Sequence, residues 1–437
     1  DYTTHKHQPW GIIALLMLAI PLNSLAQRDD ALPPCQSIWE EYSSHEDNSI
    51  VRSNPLARVV HTQYNEPSTG MTLHTFFIKD LFNITSMVFS TYFNATSSND
   101  YSVSINDMEL YGSECFFCGT ITYPYFEPLS NNYISKGIVG HFTTTSFIYG
   151  ASLLVFAIVP QTSQLTRLAV NKPDDGGIIK INTIGILDDY NTACLAEINY
   201  PPSLAWNATL NYIPDQSKIL FSDILSTRDS TILLAQYKCA NNISYGNSGY
   251  DFSHQIILLD RFTRNGCYSD CNSAPLHYMA HYFFPDNESY NFHYNKAPMA
   301  LCNVQDNHFG AAFGVKNNFD NISGIRYFSF PNIWQYDSSI FCKTGEHPRL
   351  KDLDYSPTYN KVFTLSWDDE YNNSVVNIFS MGNATHPVTR LSGSGIELNS
   401  LSMRGMTTYL DITGHRVSNS LFHLLSQRVD ALSYTTC

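Results

Sequence analysis

The sequence predicts an all-β fold built from repeated strand–turn–strand units. Aromatic residues make up 14% of its 437 residues and charged residues only 15%, and similar phrases of turn and strand recur along the chain. Aromatic side chains suit the half-buried surface of a pleated sheet, whereas disordered chains carry few aromatics and many charges. A chain of this length is too long for one small core, so it forms either several domains or one array of repeats.

Residues 1–26 have the pattern of a secretory signal peptide. Lys6 gives a weakly basic start, and residues 10–22 are apolar. This apolar run is shorter than the ~20 residues that span a bilayer, which weighs against the alternative of a membrane anchor. We expect cleavage between Ala26 and Gln27, no membrane span in the mature chain, and a protein that is secreted, periplasmic or at the cell surface.

Two similar phrases indicate the repeated unit. IPDQSKILF begins at Ile213 and SPTYNKVFT at Ser356, and each contains a Pro, a short polar turn, a Lys and a strand-like run. Pro sets the first corner of a turn, and Asp or Asn forms local hydrogen bonds there. We interpret each phrase as a hairpin. It resembles the hairpin found in blades of TolB-like and WD40-like β-propellers.

Weaker copies of this phrase set the period of the repeat. Turn centres fall near residues 112, 216, 306, 359 and 405. The last three lie roughly 50 residues apart and the earlier gaps are about twice as long, which is typical of four-stranded propeller blades. We predict a β-propeller of six to eight four-stranded blades, with seven favoured, over residues 54–437. Residues 27–53 read as a polar lead-in, and residues 420–432 as a late helix or a last strand pair.

One longer run carries a family resemblance. NDMELYGSECFFCGT from Asn106, followed by GIVGHF from Gly137, resembles uncharacterised secreted β-propeller proteins of gut Bacteroidetes. The resemblance covers most of the mature chain. It implies export and a propeller fold, and it implies no particular reaction. The chain ends abruptly at SYTTC, so we expect that it is truncated at the C-terminus.

The charge of the chain argues against two classes of partner. The formal net charge is −14, and Lys and Arg form no cluster. An acidic surface repels the phosphate backbone of nucleic acids and the head groups of anionic lipids. We therefore expect a glycan or protein ligand and no nucleic acid.

The ten cysteines fit an exported protein, because an even number allows full pairing in an oxidising compartment. Cys267 and Cys271 lie in a turn-rich segment and are candidates for a local disulfide. Cys115 and Cys118 have the spacing of a redox pair, but they lie in a strand-like run, where residues three apart face opposite sides. We expect them to be small buried hydrophobic residues or partners of distant cysteines.

Catalytic signatures are missing from the sequence. It contains neither the Asp-box repeats of sialidase propellers nor a Gly-x-Ser-x-Gly nucleophile motif. His277 and His281 are four residues apart and could chelate a metal with His293, but the glutamate of a metalloprotease helix is absent after His277. On a strand, packing explains the pair equally well, so we expect no metal and no other cofactor.

Three tryptophans are candidates for stacking on sugar rings: Trp206, Trp334 and Trp367. Burial between blades explains them at least as well. Our first hypothesis is therefore an exported, non-catalytic protein that binds a glycan or protein through a propeller face. The alternatives are a glycan-acting hydrolase or lyase on the same scaffold and a structural surface or adhesion protein.

Overall fold

The computed structural model describes the chain from residue 40 to residue 430 with gaps. The described residues are 40–41, 49–65, 72–80, 86–92, 102–124, 133–144, 155–171, 178–187, 193–200, 203–209, 217–226, 232–240, 252–259, 280–282, 300–305, 308–316, 321–329, 336–343, 349–356, 358–368, 373–380, 388–391, 396–403, 409–418 and 421–430. They all belong to the compact unit Ile38–Cys437. The predicted signal peptide and its cleavage site lie outside the described residues.

The described strands form seven sheets of four antiparallel strands each. The strands, in chain order, are β1 (Glu40–Glu41); β2 (Ser49–Ser53), β3 (Ala57–Asn65), β4 (Thr72–Asp80) and β5 (Ser86–Tyr92) of the first sheet; β6 (Ser102–Tyr111), β7 (Glu114–Pro124), β8 (Tyr133–Thr143) and β9 (Val155–Ile158) of the second; β10 (Thr162–Asn171), β11 (Lys180–Leu187), β12 (Ala193–Asn199) and β13 (Ser203–Thr209) of the third; β14 (Ser217–Ser226), β15 (Ile232–Ala240), β16 (Phe252–Leu259) and β17 (Ala280–Tyr282) of the fourth; β18 (Ala300–Gln305), β19 (His308–Lys316), β20 (Asn321–Ser329) and β21 (Tyr336–Lys343) of the fifth; β22 (Arg349–Ser356), β23 (Lys361–Asp368), β24 (Asn373–Ser380) and β25 (Val388–Leu391) of the sixth; and β26 (Ile396–Met403), β27 (Tyr409–Ser418) and β28 (Leu421–Asp430) of the seventh.

The sheets are arranged in a closed ring. The first strand of each sheet contacts the first strand of the next, and β26 of the seventh sheet contacts β2 of the first. The seventh sheet takes its outer strand from the start of the chain, because β1 pairs with β28. This closure leaves few exposed sheet edges and confirms the predicted β-propeller.

The ring begins earlier in the chain than the sequence indicated. Ser49–Ser53, which we placed in the polar lead-in, forms the inner strand of the first sheet, and Glu40–Glu41 completes the seventh. Ile50 and Val51 are buried, which explains why so short and polar a segment forms a strand. The ring therefore includes two strands, β1 and β2, that precede its predicted start at residue 54.

The two phrases that led to the repeat occupy different places in their sheets. The run after Ser356 is the turn from the first strand β22 to the second strand β23, as expected for a hairpin. Ser217–Ser226, by contrast, is itself a first strand, and the strand before it belongs to the previous sheet. The hairpin interpretation of the phrase at Ile213 was therefore wrong, although the architecture inferred from the pair was right.

The C-terminal segment that we interpreted as a helix or a strand pair is one strand. Residues Leu421–Asp430 form β28, which is hydrogen-bonded to β27 on one side and to β1 on the other. Its backbone groups are thus satisfied by neighbouring strands, so the apolar spacing in the sequence does not produce a helix.

The hydrophobic core lies between the sheets. One buried cluster joins the first and second sheets, another the second and third, and a further cluster the sixth and seventh. Phe117 packs toward the first sheet, and its neighbour Phe116 packs toward the third. The second sheet therefore buries both of its faces against its neighbours, as propeller stacking requires.

The cysteines of the Cys-x-x-Cys run confirm the prediction that they are buried hydrophobic residues. Cys115 and Cys118 are free, and they belong to the clusters on opposite faces of the second sheet. Burial raises the pKa of both thiols well above the ordinary value, which is unfavourable for redox chemistry. Cys194 is also buried, and the disulfide candidates Cys267 and Cys271 lie outside the described residues.

Candidate functional site at the inner ring of charges

The inner strands carry a repeated irregularity. In each sheet from the second to the seventh, the register between the first and second strands shifts by one residue at a β-bulge. The bulged residues are Asn106, Thr166, Ser222, Val304, Lys351 and Asn399. A polar residue follows each bulge: Asp107, Arg167, Asp223, Gln305, Asp352 and Ser400. Bulges re-aim side chains, so these positions form one level of the inner ring, except Gln305, which lies at the hairpin end of its strand.

The aspartates at this level connect one sheet to the next. Asp107 accepts a hydrogen bond of 3.2 Å from the backbone N–H of Leu168 in the third sheet. Asp352 accepts an equivalent bond of 3.0 Å from Leu401 in the seventh sheet. A first strand is paired on one side only, so its remaining N–H groups need such acceptors. The same contact recurs at two blade boundaries that lie far apart in the sequence.

A second level of contacts lies two residues further along the strands. The acceptors are side-chain oxygens, and the donors are backbone N–H groups of the following sheet. The pairs are Glu109 with Val170 at 2.7 Å, Asp354 with Met403 at 2.7 Å, and Ser402 with Ser53 at 2.9 Å. The bulged residues add a third level, in which Asn106 donates to the carbonyl of Leu165 at 2.6 Å and Lys351 donates to that of Leu398 at 3.1 Å.

Arg52 occupies the second-level position in the first sheet. It precedes Ser53, so it stands where the other sheets place Glu109, Asp354 and Ser402. An arginine has no acceptor, and it therefore donates instead. Its guanidinium contacts Asp107 at 2.7 Å, the carbonyl of Met108 at 2.8 Å, Ser400 at 3.0 Å and Asp352 at 3.3 Å. These contacts join the sixth, seventh, first and second sheets.

The electrostatics of this ring follow from burial and from the carboxylates. Burial lowers the pKa of Arg52, but the carboxylates of Asp352 and Asp107 outweigh burial and hold that pKa above its ordinary value. Burial raises the pKa of Glu109 to about 8 and that of Asp354 to about 6. Arg52 is therefore firmly charged, whereas Glu109 keeps a proton near neutral pH.

Arg167 differs from Arg52 in its contacts. Among the described residues, its guanidinium donates to backbone carbonyls, those of Asn106 at 3.4 Å and Thr166 at 3.5 Å. Burial lowers the pKa of Arg167, and the carboxylates of Asp107 and Asp223 more than compensate. The third sheet thus adds a second positive charge to an otherwise acidic ring, without a close ion pair among the described residues.

The carboxylates of this ring are already engaged in hydrogen bonds within the protein, which limits the chemistry they can perform. Asp107 and Asp352 each accept from Arg52 and from backbone N–H groups, and Glu109 and Asp354 each accept from a backbone N–H of the next sheet. Among the described residues, no group of three or more His, Cys, Asp or Glu side chains is placed to hold a metal ion. The ring is arranged to hold the blades together.

Three of the predicted tryptophans and histidines lie on described strands, and their proposed roles stay predictions. Trp206 lies on β13 of the third sheet and Trp367 on β23 of the sixth, so the two are on separate, non-adjacent blades. His281 lies on the outer strand β17 of the fourth sheet. The remaining candidates, Trp334, His277 and His293, are outside the described residues, so their proposed roles stay predictions.

Sequence reasoning missed the inner ring although a signal for it exists. Five first strands share the pattern of a large apolar residue, any residue, a polar residue and a second apolar residue: INDM from Ile105, LTRL from Leu165, FSDI from Phe221, LKDL from Leu350 and LNSL from Leu398. The variable residue of this pattern is the bulge. This short pattern, not the longer turn phrase, marks the true repeat of the chain.

Comparisons with known proteins support the fold. No family model matches the chain, and no curated protein sequence matches it. Among solved structures, a polysaccharide lyase described as an ulvan lyase aligns with a TM-score of 0.51 and 8% identity, covering 92% of this chain and 99% of the lyase. The β-propeller domain of the trilobed protease from Pyrococcus furiosus gives 0.47 and 7%, covering 90% and 96%. Drosophila plexin A in complex with semaphorin 1b gives 0.46 and 10%, covering 90% and 88%.

At 8% identity, the alignment with the ulvan lyase indicates a shared fold without indicating a shared function. The described residues include no helix long and apolar enough to cross a membrane. The chain adopts a β-propeller fold whose inner ring is held by repeated carboxylate-to-backbone hydrogen bonds.

Proposed function

We propose that the protein is an exported, non-catalytic binding protein that recognises a glycan or protein ligand through a face of the propeller. The observation that carries this proposal is that the inner-ring carboxylates are engaged in hydrogen bonds within the protein. Asp107 and Asp352 are bound to Arg52 and to backbone N–H groups of the next sheet, so they serve the architecture. A general acid or base has to reach the substrate, and these side chains are directed at the protein itself.

A glycan-acting hydrolase or lyase is the second candidate, and one observation favours it. Burial raises the pKa of Glu109 to about 8, and a protonated carboxyl group near neutral pH is what a general acid requires; burial also raises the pKa of Asp354, to about 6. Both groups nevertheless accept hydrogen bonds of 2.7 Å from backbone N–H groups. A structural role therefore accounts for them.

One experiment separates the two candidates. Purified full-length protein is incubated with a panel of plant, algal and bacterial polysaccharides, and both retention in affinity electrophoresis and the release of reducing or unsaturated ends are measured. The binding role predicts retention without release. Catalysis would be indicated by turnover that disappears in Glu109→Gln or Asp354→Asn while the thermal unfolding of the variant stays that of the wild type.

Export is a separate part of the proposal. It is supported by the signal-peptide pattern of residues 1–26. N-terminal sequencing of protein recovered from the secretory fraction of an expressing bacterium should begin at Gln27. Recovery only from the cytoplasm, with the apolar segment intact, would contradict export and leave the binding role to be tested on its own.

A further inference from the structure

The exposed apolar side chains of the described residues are concentrated at one end of the ring. The large hydrophobic residues with high exposure are Leu56 (55%), Tyr111 (37%), Ile158 (48%), Ile178 (58%) and Tyr409 (42%). All of them except Ile158 lie at turns between the first and second strands of their sheets. We call the end of the ring that carries these turns the turn face.

The positions of these turns show that they share one end. The inner strands run in the same direction, because equivalent residues of neighbouring strands are joined by the same hydrogen bonds. The side chain of Asn54, in the turn of the first sheet, donates to the carbonyl of Gly112, in the turn of the second, at 2.7 Å. Tyr409, Leu56, Tyr111 and Ile178 therefore form an arc over the seventh, first, second and third sheets.

The arc is held in place by its own backbone. Asn54 accepts hydrogen bonds from the N–H groups of Leu56 at 2.8 Å and Ala57 at 2.9 Å, which fixes the turn that displays Leu56. Gly112 has a φ of 61°, a conformation that glycine adopts without strain, and it follows Tyr111 directly. Side chains displayed on such fixed turns need little ordering when a ligand binds.

A third tyrosine extends the arc on the third sheet. The backbone N–H of Tyr200 donates to the carbonyl of Ile179 at 2.9 Å, which places Tyr200 beside Ile178. Its ring stands edge-on to His141, with centroids 4.6 Å apart, and edge-on to Phe116, with centroids 5.6 Å apart. These contacts cross from the second sheet to the third and fix the orientation of the phenol ring.

The chemistry of the arc fits an uncharged, amphipathic ligand. Its exposed members carry apolar groups or phenols, and the residue paired with Tyr111 on β7 is the carboxylate Glu114, on a chain whose formal net charge is −14. Tyrosine combines an apolar ring face with a hydroxyl group that hydrogen-bonds, which suits the mixed surface of a sugar ring. A stable protein interface needs one continuous patch with a dry centre, whereas the exposed side chains of the arc are distributed over four turns.

We infer that the turn face binds a linear, neutral polysaccharide, with Tyr111 and Tyr409 as stacking platforms for separate sugar units. This inference rests on the proposed binding function and specifies both its face and its ligand class. The arc over four consecutive sheets matches an extended chain that contacts several platforms in turn. An anionic polysaccharide would meet an acidic protein without a basic cluster to receive it.

The test uses full-length protein and defined probes. Hydroxyethyl cellulose, laminarin, galactomannan and arabinoxylan serve as neutral polysaccharides, and alginate serves as an anionic one. Tyr111→Ala, Tyr409→Ala and the double variant remove the platforms. Ile158→Ala is the matched control, because Ile158 is equally exposed but lies on the outer strand β9, away from the turn face. Dissociation constants are measured by isothermal titration and affinity electrophoresis.

We expect wild-type protein to bind at least one neutral probe more tightly than alginate. Each tyrosine substitution should weaken that binding about threefold to tenfold, the double variant should weaken it further, and Tyr111→Phe should retain it. Ile158→Ala should bind like the wild type. Unchanged melting temperatures of these surface variants will show that the losses come from the binding surface.

Each other outcome overturns the inference, and each has a different consequence for the proposed function. Binding that the tyrosine variants leave intact, or binding to alginate alone, rejects this site but retains a binding protein. Capture of a protein ligand without any polysaccharide also rejects the site. Turnover of a polysaccharide rejects the non-catalytic function itself. If the protein binds none of the probes, the proposed ligand class is rejected.

Discussion

The carboxylate of Asp411 and the guanidinium of Arg58 meet at 3.2 Å across the boundary between the seventh sheet and the first. Asp411 also accepts a hydrogen bond of 2.6 Å from the hydroxyl of Ser53. Both charged side chains are buried, with 5% of Arg58 and none of Asp411 exposed. This boundary is where the two ends of the chain complete the ring, so the ion pair lies at the closure of the propeller.

Removing one partner of this pair should destabilise the protein strongly. Asp411→Asn leaves the guanidinium of Arg58 buried without its counter-charge, and such a loss costs about 3–5 kcal/mol. Equilibrium unfolding in urea measures the change. The double variant Arg58→Met with Asp411→Leu should lose less than Asp411→Asn alone, because it removes both buried charges. A single variant within about 1 kcal/mol of the wild type would contradict a closing role.

The repeated aspartate contacts predict local effects at two separate boundaries. Asp107→Ala should increase hydrogen exchange in a peptide spanning residues 165–170, because the N–H of Leu168 loses its acceptor. Asp352→Ala should do the same in residues 398–403, where Leu401 loses its acceptor. Each substitution should cost about 1–3 kcal/mol.

Exchange measured by mass spectrometry provides a reciprocal control for this pair. The peptide affected by Asp107→Ala should be unchanged in Asp352→Ala, and the converse should hold. If both variants raised exchange throughout the ring equally, the contacts would support the ring as a whole instead of individual blade boundaries.

The buried carboxyl group of Glu109 predicts how stability varies with pH. Its pKa is about 8 in the folded protein and 4.5 ordinarily, with burial as the main cause. Between these values the folded state keeps a proton that the unfolded state releases. The free energy of unfolding should therefore fall as the pH rises, by up to about 1.4 kcal/mol per pH unit from this group.

Glu109→Gln should remove this slope, because glutamine can still accept the hydrogen bond from Val170 but does not titrate. Urea unfolding between pH 5 and 9 tests it. Asp354→Asn is the matched control, since the pKa of Asp354 rises from 3.8 to about 6 and its contribution lies at lower pH. Equal pH slopes for wild type and Glu109→Gln between pH 6 and 8 would refute the assignment.

The thiols of the second sheet should be unreactive while the protein is folded. Cys115 and Cys118 are fully buried, and burial raises the pKa of both thiols. We expect neither to react with iodoacetamide at pH 8 within the time that labels a free thiol, and both to react in concentrated guanidinium chloride. Peptide mapping by mass spectrometry separates them from the other cysteines. Rapid labelling of either in the folded state would contradict the packing of this sheet.

Part of the architecture could be predicted from the sequence and part could not. The tight turn after Tyr111 was predicted because Gly112 is a local signal, and the structure places a glycine of positive φ there. The role of Ser53 was not predictable, because its strand has meaning only once the ring closes and Ser402 arrives from the other end of the chain. The conformation of a turn is determined by neighbouring residues in the sequence, whereas ring closure depends on contacts between residues that are distant in the sequence.

The candidate site residues also differ in whether neighbouring residues in the sequence could identify them. The predicted tryptophans were chosen by residue type, and their stacking role stays a prediction. Arg52 was overlooked because nothing near it in the sequence marks it as different from a surface arginine. Its significance comes from Asp352, which the fold brings to 3.3 Å from it across 300 residues.

The glycines opposite the bulges provide the last prediction. Gly119, Gly185 and Gly414 lie on second strands facing the bulges of the second, third and seventh sheets. A Cβ atom at these positions would lie 1.9 Å from the carbonyl oxygen of Ser104, 1.9 Å from that of Gln164 and 2.3 Å from that of Glu397, respectively. Since backbone atoms cannot move aside as a flexible side chain can, Gly185→Ala should cost about 1–3 kcal/mol or more.

The sixth sheet supplies a matched control, because its equivalent position is Ser366, a buried residue with a side chain. Ser366→Ala should therefore change the free energy of unfolding by less than Gly185→Ala. Urea unfolding of both variants measures the difference. If Gly185→Ala were as stable as Ser366→Ala, the bulge would be flexible enough to accommodate a methyl group. The close approach of the first and second strands would then not be what requires glycine in these three sheets.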